Sequence, residues 1–217
     1  NLLESLAFYN KELGKYAEAT RLLKEVATIK KNIFGIDNIE YAYSLTNLAT
    51  CYSESSNNNE AIHIGAEVLG ILGRIVGTNH PYYVLSLRNL ALYYSEIGNY
   101  REAIRREKEV AELLRMSDST ESPDYPTSLS RLADYYSKSG NYSEAVRIGI
   151  ETMKINKRVF GAESQDYATS LINLAGYYQD LGNYSETIRL MTEAKEIYER
   201  VFGKESHEYA LLLSNFA

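Results

Sequence analysis

The chain has 217 residues, of which 45% are hydrophobic and 24% charged, and its formal net charge is −6. These proportions are ordinary for a soluble globular protein, and the length is sufficient for a sizeable core. Acidic and basic residues are interleaved without a basic patch, which argues against a nucleic-acid partner, and no apolar run approaches the ~18–20 residues of a membrane-spanning helix.

The single cysteine, Cys51, excludes an internal disulfide and fits a reducing compartment. The N-terminus lacks the basic and then apolar stretch of a secretory leader, so we expect a cytoplasmic protein. Because the chain begins with Asn1 rather than Met, we also expect it to be a fragment.

The sequence repeats itself every 42 residues without gaps, which predicts an array of stacked structural units. A Leu-Ala pair marks each repeat, at 6–7, 48–49, 90–91, 132–133 and 174–175. We expect one solenoid over residues 1–217. Its predicted parts are a partial unit at 1–35, full units at 36–77, 78–119, 120–161 and 162–203, and a partial unit at 204–217.

Each repeat contains two predicted amphipathic helices, A and B. In helix A, Leu45, Leu48, Ala49 and Tyr52 follow the spacing i, i+3, i+4 and i+7, which is typical of one buried helical face. The predicted A helices span 40–54, 82–96, 124–138 and 166–180, and the predicted B helices span 17–33, 59–75, 101–117, 143–159 and 185–201.

Residue types suited to helix ends occupy the joints between these helices. Good N-cap residues precede most A helices, and a glycine follows most B helices. The respective columns are Asn38, His80, Ser122, Ser164 and Ser206, and Gly35, Gly77, Gly161 and Gly203.

Two joints depart from this pattern. The A–B turn reads Gly-Asn-Tyr at 98–100, 140–142 and 182–184, but Ser-Asn-Asn-Asn at 56–59, where we expect an asparagine to adopt positive φ. At 117–126 the chain reads SDSTESPDYP and lacks the closing glycine, so we expect a longer or looser connection.

The recurring Asn-Leu-Ala, Gly-Asn-Tyr, Glu-Ala and closing Phe-Gly motifs resemble the tetratricopeptide repeat, most closely its 42-residue variant in kinesin light chains. Similar arrays occur in bacterial proteins, some of them joined to CHAT-type protease or NB-ARC ATPase domains. The resemblance covers the whole chain. It implies an all-α fold, a right-handed α-α superhelix of helix pairs, in which the A helices line a concave groove that often holds an extended peptide.

No constellation of residues favours catalysis. The histidines, His63, His80 and His207, are not at metal-ligand spacing, and no Cys/His cluster is present. Cys51 occupies a column that otherwise holds tyrosines, so we interpret it as a packing residue. We therefore predict that the protein is not an enzyme and has no catalytic residue, no metal site and no cofactor.

The 20 tyrosines raise the question of a stacking surface for bases or an aromatic cage. Four repeat columns contain 17 of them, and we interpret these as structural. The remaining three are Tyr43, Tyr82 and Tyr198.

Glu107 stands in a B-helix column that otherwise holds Leu23, Gly65, Gly149 and Met191. We interpret it as a residue at the edge of the helix, paired with an arginine such as Arg106. The alternative is a half-buried carboxylate with a raised pKa.

The repeats differ most on the A-helix face opposite the apolar stripe. The resemblance places this face on the groove and assigns an asparagine before Leu-Ala to the backbone of a bound peptide, while Ser5 and Arg131 depart from that motif. An asparagine side chain both donates and accepts, which suits the reading of a main chain. The candidate peptide-binding residues are Asn47, Thr50, Arg88, Asn89, Leu92, Arg131, Asp134, Asn173 and Asn215.

Arg131, with Arg88 on the flank of the preceding repeat, is suited to a bidentate grip on a carboxylate. The alternative is that Arg131 pairs with Asp134 on its own helix and that the whole face is solvated.

These patterns predict a scaffold that binds a protein or peptide, with an extended segment of the partner in the groove. The alternative is a regulatory or spacer array within a larger multidomain protein of the CHAT protease or NB-ARC NTPase type. Such an array has no ligand of its own, and its partners are other domains of the same chain. Because the sequence ends inside a predicted A helix without a polar cap, we expect it to be a segment of a longer array.

Overall fold

The computed structural model describes residues 2–117, 122–206 and 209. Over this part of the chain, ten α-helices form and no strand is present, which confirms the all-α prediction. The helices are α1 Leu2–Glu12, α2 Tyr16–Phe34, α3 Ile39–Glu54, α4 Asn58–Ile75, α5 Pro81–Glu96, α6 Tyr100–Met116, α7 Asp124–Lys138, α8 Tyr142–Phe160, α9 Gln165–Asp180 and α10 Tyr184–Phe202.

Odd-numbered helices are the A helices of the repeats and even-numbered helices are the B helices. Each predicted helix limit lies within one residue of the observed limit. None of the described helices combines the length and the apolar character needed to cross a bilayer.

Side-chain caps fix the starts of the A helices. The side chain of Asn38 accepts a hydrogen bond from the Glu40 amide at 2.8 Å, and Ser164 accepts one from the Tyr167 amide at 3.2 Å. His80 accepts through Nδ1 from the Tyr82 amide at 3.2 Å. These bonds satisfy amides that have no partner inside the helix, and they confirm the predicted capping column.

The third joint has its own geometry. Helix α7 begins at Asp124, whose amide donates to Ser122 Oγ at 3.4 Å, and Pro126 lies buried in the first turn. Proline is tolerated there because the first amides of a helix have no intrahelical acceptor to lose. Residues 118–121 lie outside the described residues, so the longer or looser connection stays a prediction.

Positive φ angles occur where the chain reverses. The four closing glycines have φ between 81° and 91°, as predicted, and the A–B turn glycines adopt the same region. In the second repeat the residue with positive φ is Ser56, at 63°, and not one of the asparagines, so that prediction was wrong. Ser56 occupies the position of the turn glycine, and the turn geometry places the left-handed residue there regardless of its side chain.

The helices group into two compact units, Asn1–Leu113 and Leu114–Ala217, which we call the N-terminal and C-terminal units. Within the N-terminal unit, consecutive helices from α1 to α5 pack in chain order. Within the C-terminal unit, α7 packs on α8, α8 on α9 and α9 on α10. Each helix has an apolar stripe, and packing against its chain neighbours buries that stripe. Fully buried leucines mark both cores: Leu87, Leu90, Leu171 and Leu190.

A tyrosine near the start of the A helix ties that helix to the B helix of the same repeat. The hydroxyl of Tyr41 donates to Glu67 at 3.2 Å, and the hydroxyl of Tyr167 donates to Glu193 at 2.7 Å. Burial, followed by the neighbouring Glu193, raises the pKa of Tyr167 to about 12, so its hydroxyl remains a donor at neutral pH. These contacts support the structural interpretation of the tyrosine columns.

The column of Glu107 is buried except at Met191, which is half-buried. Its two glycines allow close helix packing: a Cβ at Gly149 would lie 3.0 Å from both Leu174 Cδ1 and Tyr177 Cδ2. The side chain of Glu107 is fully buried, so the interpretation of an edge residue was wrong. Arg106, its expected partner, forms an ion pair with Glu109 at 3.6 Å.

Replacing Ser56 by glycine is expected to raise the free energy of unfolding by about 1 kcal/mol, because an L-residue pays a steric cost in the left-handed region. Urea denaturation measures the change. The matched control is Ser55→Gly: Ser55 has φ −87° and donates to the Tyr52 carbonyl at 2.9 Å, so glycine there should destabilise. Equal effects of the two substitutions would contradict this account.

Gly149→Leu is expected to lower the free energy of unfolding by about 1–3 kcal/mol, because the new side chain would displace Leu174 and Tyr177. The control is Gly176→Ala in α9, where an added Cβ has open space. That variant should gain about 1 kcal/mol from helix propensity. Thermal and urea unfolding of the two variants test the prediction, and a stabilising Gly149→Leu would refute it.

Candidate functional site

The predicted binding residues lie on the A helices, and the structure describes all of them except Asn215. In the N-terminal unit, Asn47 and Thr50 lie on α3, and Arg88, Asn89 and Leu92 lie on α5. In the C-terminal unit, Arg131 and Asp134 lie on α7 and Asn173 lies on α9. Asn215 lies outside the described residues.

The asparagines before Leu-Ala share one property. Asn47 is exposed, Asn89 and Asn173 are half-buried, and none of the three side-chain amides makes a hydrogen bond to a described residue. The turn asparagines behave differently, since the side chains of Asn141 and Asn183 cap α8 and α10. The three asparagines before Leu-Ala therefore keep their donors and acceptors available.

In the N-terminal unit, α1 and α3 enclose a depression beside Asn47 and Thr50. Its lining includes Phe8 of α1, which the repeat pattern places on the same face, and Lys11 of α1, which the sequence did not predict. Lys11 Nζ lies 3.1 Å from Glu54 Oε1, a contact that joins the two A helices. Phe8 is 54% exposed, so an apolar ring stands next to the polar row.

Thr50 has a structural contact in addition to its position on this face. Its hydroxyl donates to the Thr46 carbonyl at 3.0 Å, so at 3.3 Å it accepts from the hydroxyl of Tyr93 in α5. Burial raises the pKa of Tyr93. The contact links successive A helices across the repeat boundary.

In the C-terminal unit, Asp134 makes the equivalent contact. The hydroxyl of Tyr177 in α9 donates to Asp134, and Ser137 donates to Asp180 at 2.6 Å. Burial raises the pKa of Asp134, while the Tyr177 hydrogen bond and the charges of Lys138 and Arg131 oppose that rise. Asp134 is thus an anchor between two A helices, on the rim of a solvent-open depression that also contains Asn173.

The two arginines differ in their surroundings. Arg131 is exposed and lies close enough to Asp134 to lower the pKa of that carboxyl, in line with the alternative of a contact on its own helix. Arg88 is half-buried in the N-terminal unit, whereas Arg131 belongs to the C-terminal unit. A joint grip of the two on a carboxylate stays a prediction.

Two further pockets lie between successive A helices, and the sequence analysis did not predict them as pockets, although the predicted binding residue Asn173 lines one of them. In the N-terminal unit, α3, α4 and α5 form a pocket, the first A–A pocket, with an apolar lining that includes Leu72 and Leu85. The rings of Tyr43 and Tyr82, two of the three tyrosines outside the repeat columns, meet edge to face there at 4.7 Å. The other principal lining residues are Ile39, Ala42, Thr46 and Ser86.

The C-terminal unit has a pocket at the equivalent positions, the second A–A pocket, formed by α7, α8 and α9. Its principal lining residues are Thr127, Ser130, Asn156, Phe160, Asp166 and Thr169. A visible signal existed for Asn156, because its column otherwise holds Leu72, Leu114, Tyr198 and Lys30. This exceptional asparagine did not by itself predict a pocket, since the pocket forms only when three helices pack together.

Across the described ranges, no group of three His, Cys, Asp or Glu side chains is placed to hold a metal ion. Cys51 is fully buried, with its Sγ 3.5 Å from Thr20 Oγ1, as expected for a packing residue.

Comparison with protein families gives matches along most of the chain. The profile described as tetratricopeptide repeat matches residues 1–74, 57–116, 124–200 and 166–217. A search of curated proteins gives no significant match.

Several solved structures are similar in fold. A kinesin light chain-like protein of Podosopora anserina, with nearly identical TPR-like repeats, has a TM-score of 0.84 at 24% identity, and the match covers 92% of this chain and 95% of that one. BtubC (BKLC) from P. vanneervenii has a TM-score of 0.79 at 17% identity, covering 94% and 82%. The apo form of RapI has a TM-score of 0.75 at 13% identity, covering 99% and 80%.

The raised pKa of Asp134 predicts a pH-dependent contribution to stability. Because the folded state holds the proton more tightly than the unfolded state, the contribution of Asp134 is largest at acid pH and is lost as pH rises through its folded pKa. Asp134→Asn removes the charge and keeps an acceptor for Tyr177. The free energy of unfolding of this variant, relative to the unmodified protein, should therefore increase as the pH rises above about 4.

Urea denaturation at steps of pH measures this difference. Tyr177→Phe is the matched comparison, because it removes the hydrogen bond that lowers the pKa of Asp134 and should extend the loss of stability to higher pH. A difference between Asp134→Asn and the unmodified protein that does not change with pH would contradict the assignment.

Proposed function

The chain belongs to the tetratricopeptide repeat family, whose members are non-catalytic protein-interaction scaffolds, and from this premise we propose that it binds an extended peptide segment along its A helices. In the N-terminal unit such a segment would lie against the A-helix face that carries Asn47 and Asn89, and the corresponding face of the C-terminal unit carries Asn173. The A-helix residues contribute hydrogen bonds to the peptide backbone, and no chemical step is involved.

The observation that carries this proposal is the row of asparagines whose side-chain amides bond no described residue. Other asparagines of the chain have structural partners, as the capping asparagines of α8 and α10 do. Asn47, Asn89 and Asn173 recur at one repeat position, and no described residue bonds their amides. A carboxamide offers one acceptor and two donors, which match the C=O and N–H groups of an extended backbone.

Apolar side chains on the same helices supply a second contribution. Leu85 and Leu92 of α5 are 47% and 39% exposed, and Phe8 of α1 is exposed as well. Such residues next to a polar row give the mixture of apolar anchors and hydrogen bonds that peptide-binding surfaces use.

The triple substitution Asn47→Ala, Asn89→Ala and Asn173→Ala tests the proposal. A peptide is first enriched on the unmodified protein from a displayed random library, and its affinity is then measured by calorimetry. Each lost hydrogen bond is worth about 0.5–1.5 kcal/mol, so the triple variant should bind at least about tenfold more weakly.

The control carries Asn32→Ala and Asn59→Ala, two exposed asparagines on the B helices α2 and α4. It should bind the peptide with unchanged affinity. Backbone N-methylation of the peptide should weaken binding to the unmodified protein and have less effect on binding to the triple variant. The proposal would be overturned if no peptide could be enriched. It would also be overturned if the triple variant and the unmodified protein, both shown by urea denaturation to be folded, bound the peptide with equal affinity.

A further inference from the structure

The two A–A pockets occupy the same place in the repeat, but the second has a more polar lining. Residues of the second pocket stand 84 positions after those of the first: Thr127 after Tyr43, Asn156 after Leu72, Asp166 after Tyr82 and Thr169 after Leu85. The scaffold around them is unchanged, as the helix limits show. The change from a mainly aromatic and aliphatic lining to a more polar one, which still includes Phe160, therefore concerns what each pocket holds.

Asn156 lines the second A–A pocket. Its side chain is only 8% exposed, and its Nδ2 donates to the carbonyl of Asp166 at 3.2 Å. No described residue donates to its Oδ1, although that atom is buried. Buried polar atoms in folded proteins normally have partners, so an acceptor without one on a pocket wall indicates a ligand that brings a donor.

The neighbouring hydroxyls also present acceptors. Thr127 uses its proton on the Pro123 carbonyl at 2.7 Å, and Ser170 uses its proton on the Tyr167 carbonyl at 2.6 Å. With their protons engaged, the oxygens of these side chains remain as acceptors. The exposed carboxylate of Asp166 adds a negative charge, and none of the described lining residues is Lys, Arg or His.

We propose that the second A–A pocket binds the arginine side chain of a peptide partner, with Asn156 Oδ1 accepting from the guanidinium and Asp166 balancing its charge. A guanidinium carries five donors and matches a wall of several acceptors, whereas its flat face suits the ring of Phe160. The proposal rests on the proposed function and names the side chain that one of its pockets selects.

The probe is N-acetyl-argininamide, titrated into the full chain while the side-chain amide resonances of Asn156 are followed by NMR. We expect saturable shifts of these resonances. N-acetyl-citrullinamide has the same shape without the charge and should bind more weakly, and N-acetyl-norleucinamide should not bind. Lysine in place of arginine should bind at least severalfold more weakly, because an ammonium group reaches fewer acceptors.

Two substitutions keep the test independent of folding. Asn156→Leu places in the pocket the residue that Leu72 and Leu114 supply in the other repeats, so the fold should tolerate it, and argininamide binding should fall at least tenfold. Asp166→Asn keeps the backbone carbonyl that Asn156 bonds, and it should weaken the binding of argininamide more than the binding of citrullinamide. Equal binding of argininamide to Asn156→Leu and the unmodified protein, or equal binding of norleucinamide and argininamide, would overturn the proposal.

A third variant separates this proposal from the proposed function. Both substitutions of the variant Asn47→Ala with Asn89→Ala lie in the N-terminal unit. This variant should therefore bind the enriched peptide more weakly and bind argininamide with unchanged affinity. If that variant weakens the peptide while Asn156→Leu leaves the affinity for both ligands unchanged, the pocket proposal fails and the proposed function stands. If argininamide binds through Asn156 but no peptide depends on the asparagines, the proposed function fails and the pocket remains an arginine-selective site.

Discussion

In each unit, the arrangement of the candidate binding residues depends on hydrogen bonds between successive A helices. Tyr93 meets Thr50 in the N-terminal unit, and Tyr177 meets Asp134 in the C-terminal unit, each across 43 residues. The sequence period is 42, so each bond connects a residue to the column one position further along in the next repeat. Because the tyrosine hydroxyls are largely withdrawn from water, a missing acceptor would cost more than the bond itself contributes.

Polar residues within a single helical turn therefore differ in role: some bond the next A helix, whereas others remain available to a ligand. Thr50 and Asn47 are three residues apart on α3, yet Thr50 accepts from Tyr93 while no described residue bonds the Asn47 amide. On α7, Asp134 has the same structural role, and its raised pKa reflects the burial that this role requires. Variation among repeats is therefore not by itself a sign of recognition, since Asp134 varies and still holds two helices together.

Particular residues show how far the sequence could be interpreted. The apolar stripes and end residues placed every limit of the nine predicted helices α2 to α10 within one residue, because both signals are local. Glu107 was wrongly predicted to lie at the edge of its helix, because the angular position of a residue on a helix does not say how closely a neighbouring helix approaches. In the structure its side chain is fully buried. Asn156 was visible as an exception in its column, but its meaning depended on the Asp166 carbonyl and on three helices forming a pocket.

By itself, the sequence determined the repeat length, the A and B helices, their caps and the face that each helix buries, since these follow from periodicities and residue types within a few turns. Only the tertiary structure decided which polar residue of a column finds a partner in the next repeat and which does not. It also decided that equivalent pockets in the two units differ in chemistry. The physical reason is that a hydrogen bond requires distances of about 3 Å between groups far apart in the chain, and those distances follow from packing rather than from local pattern.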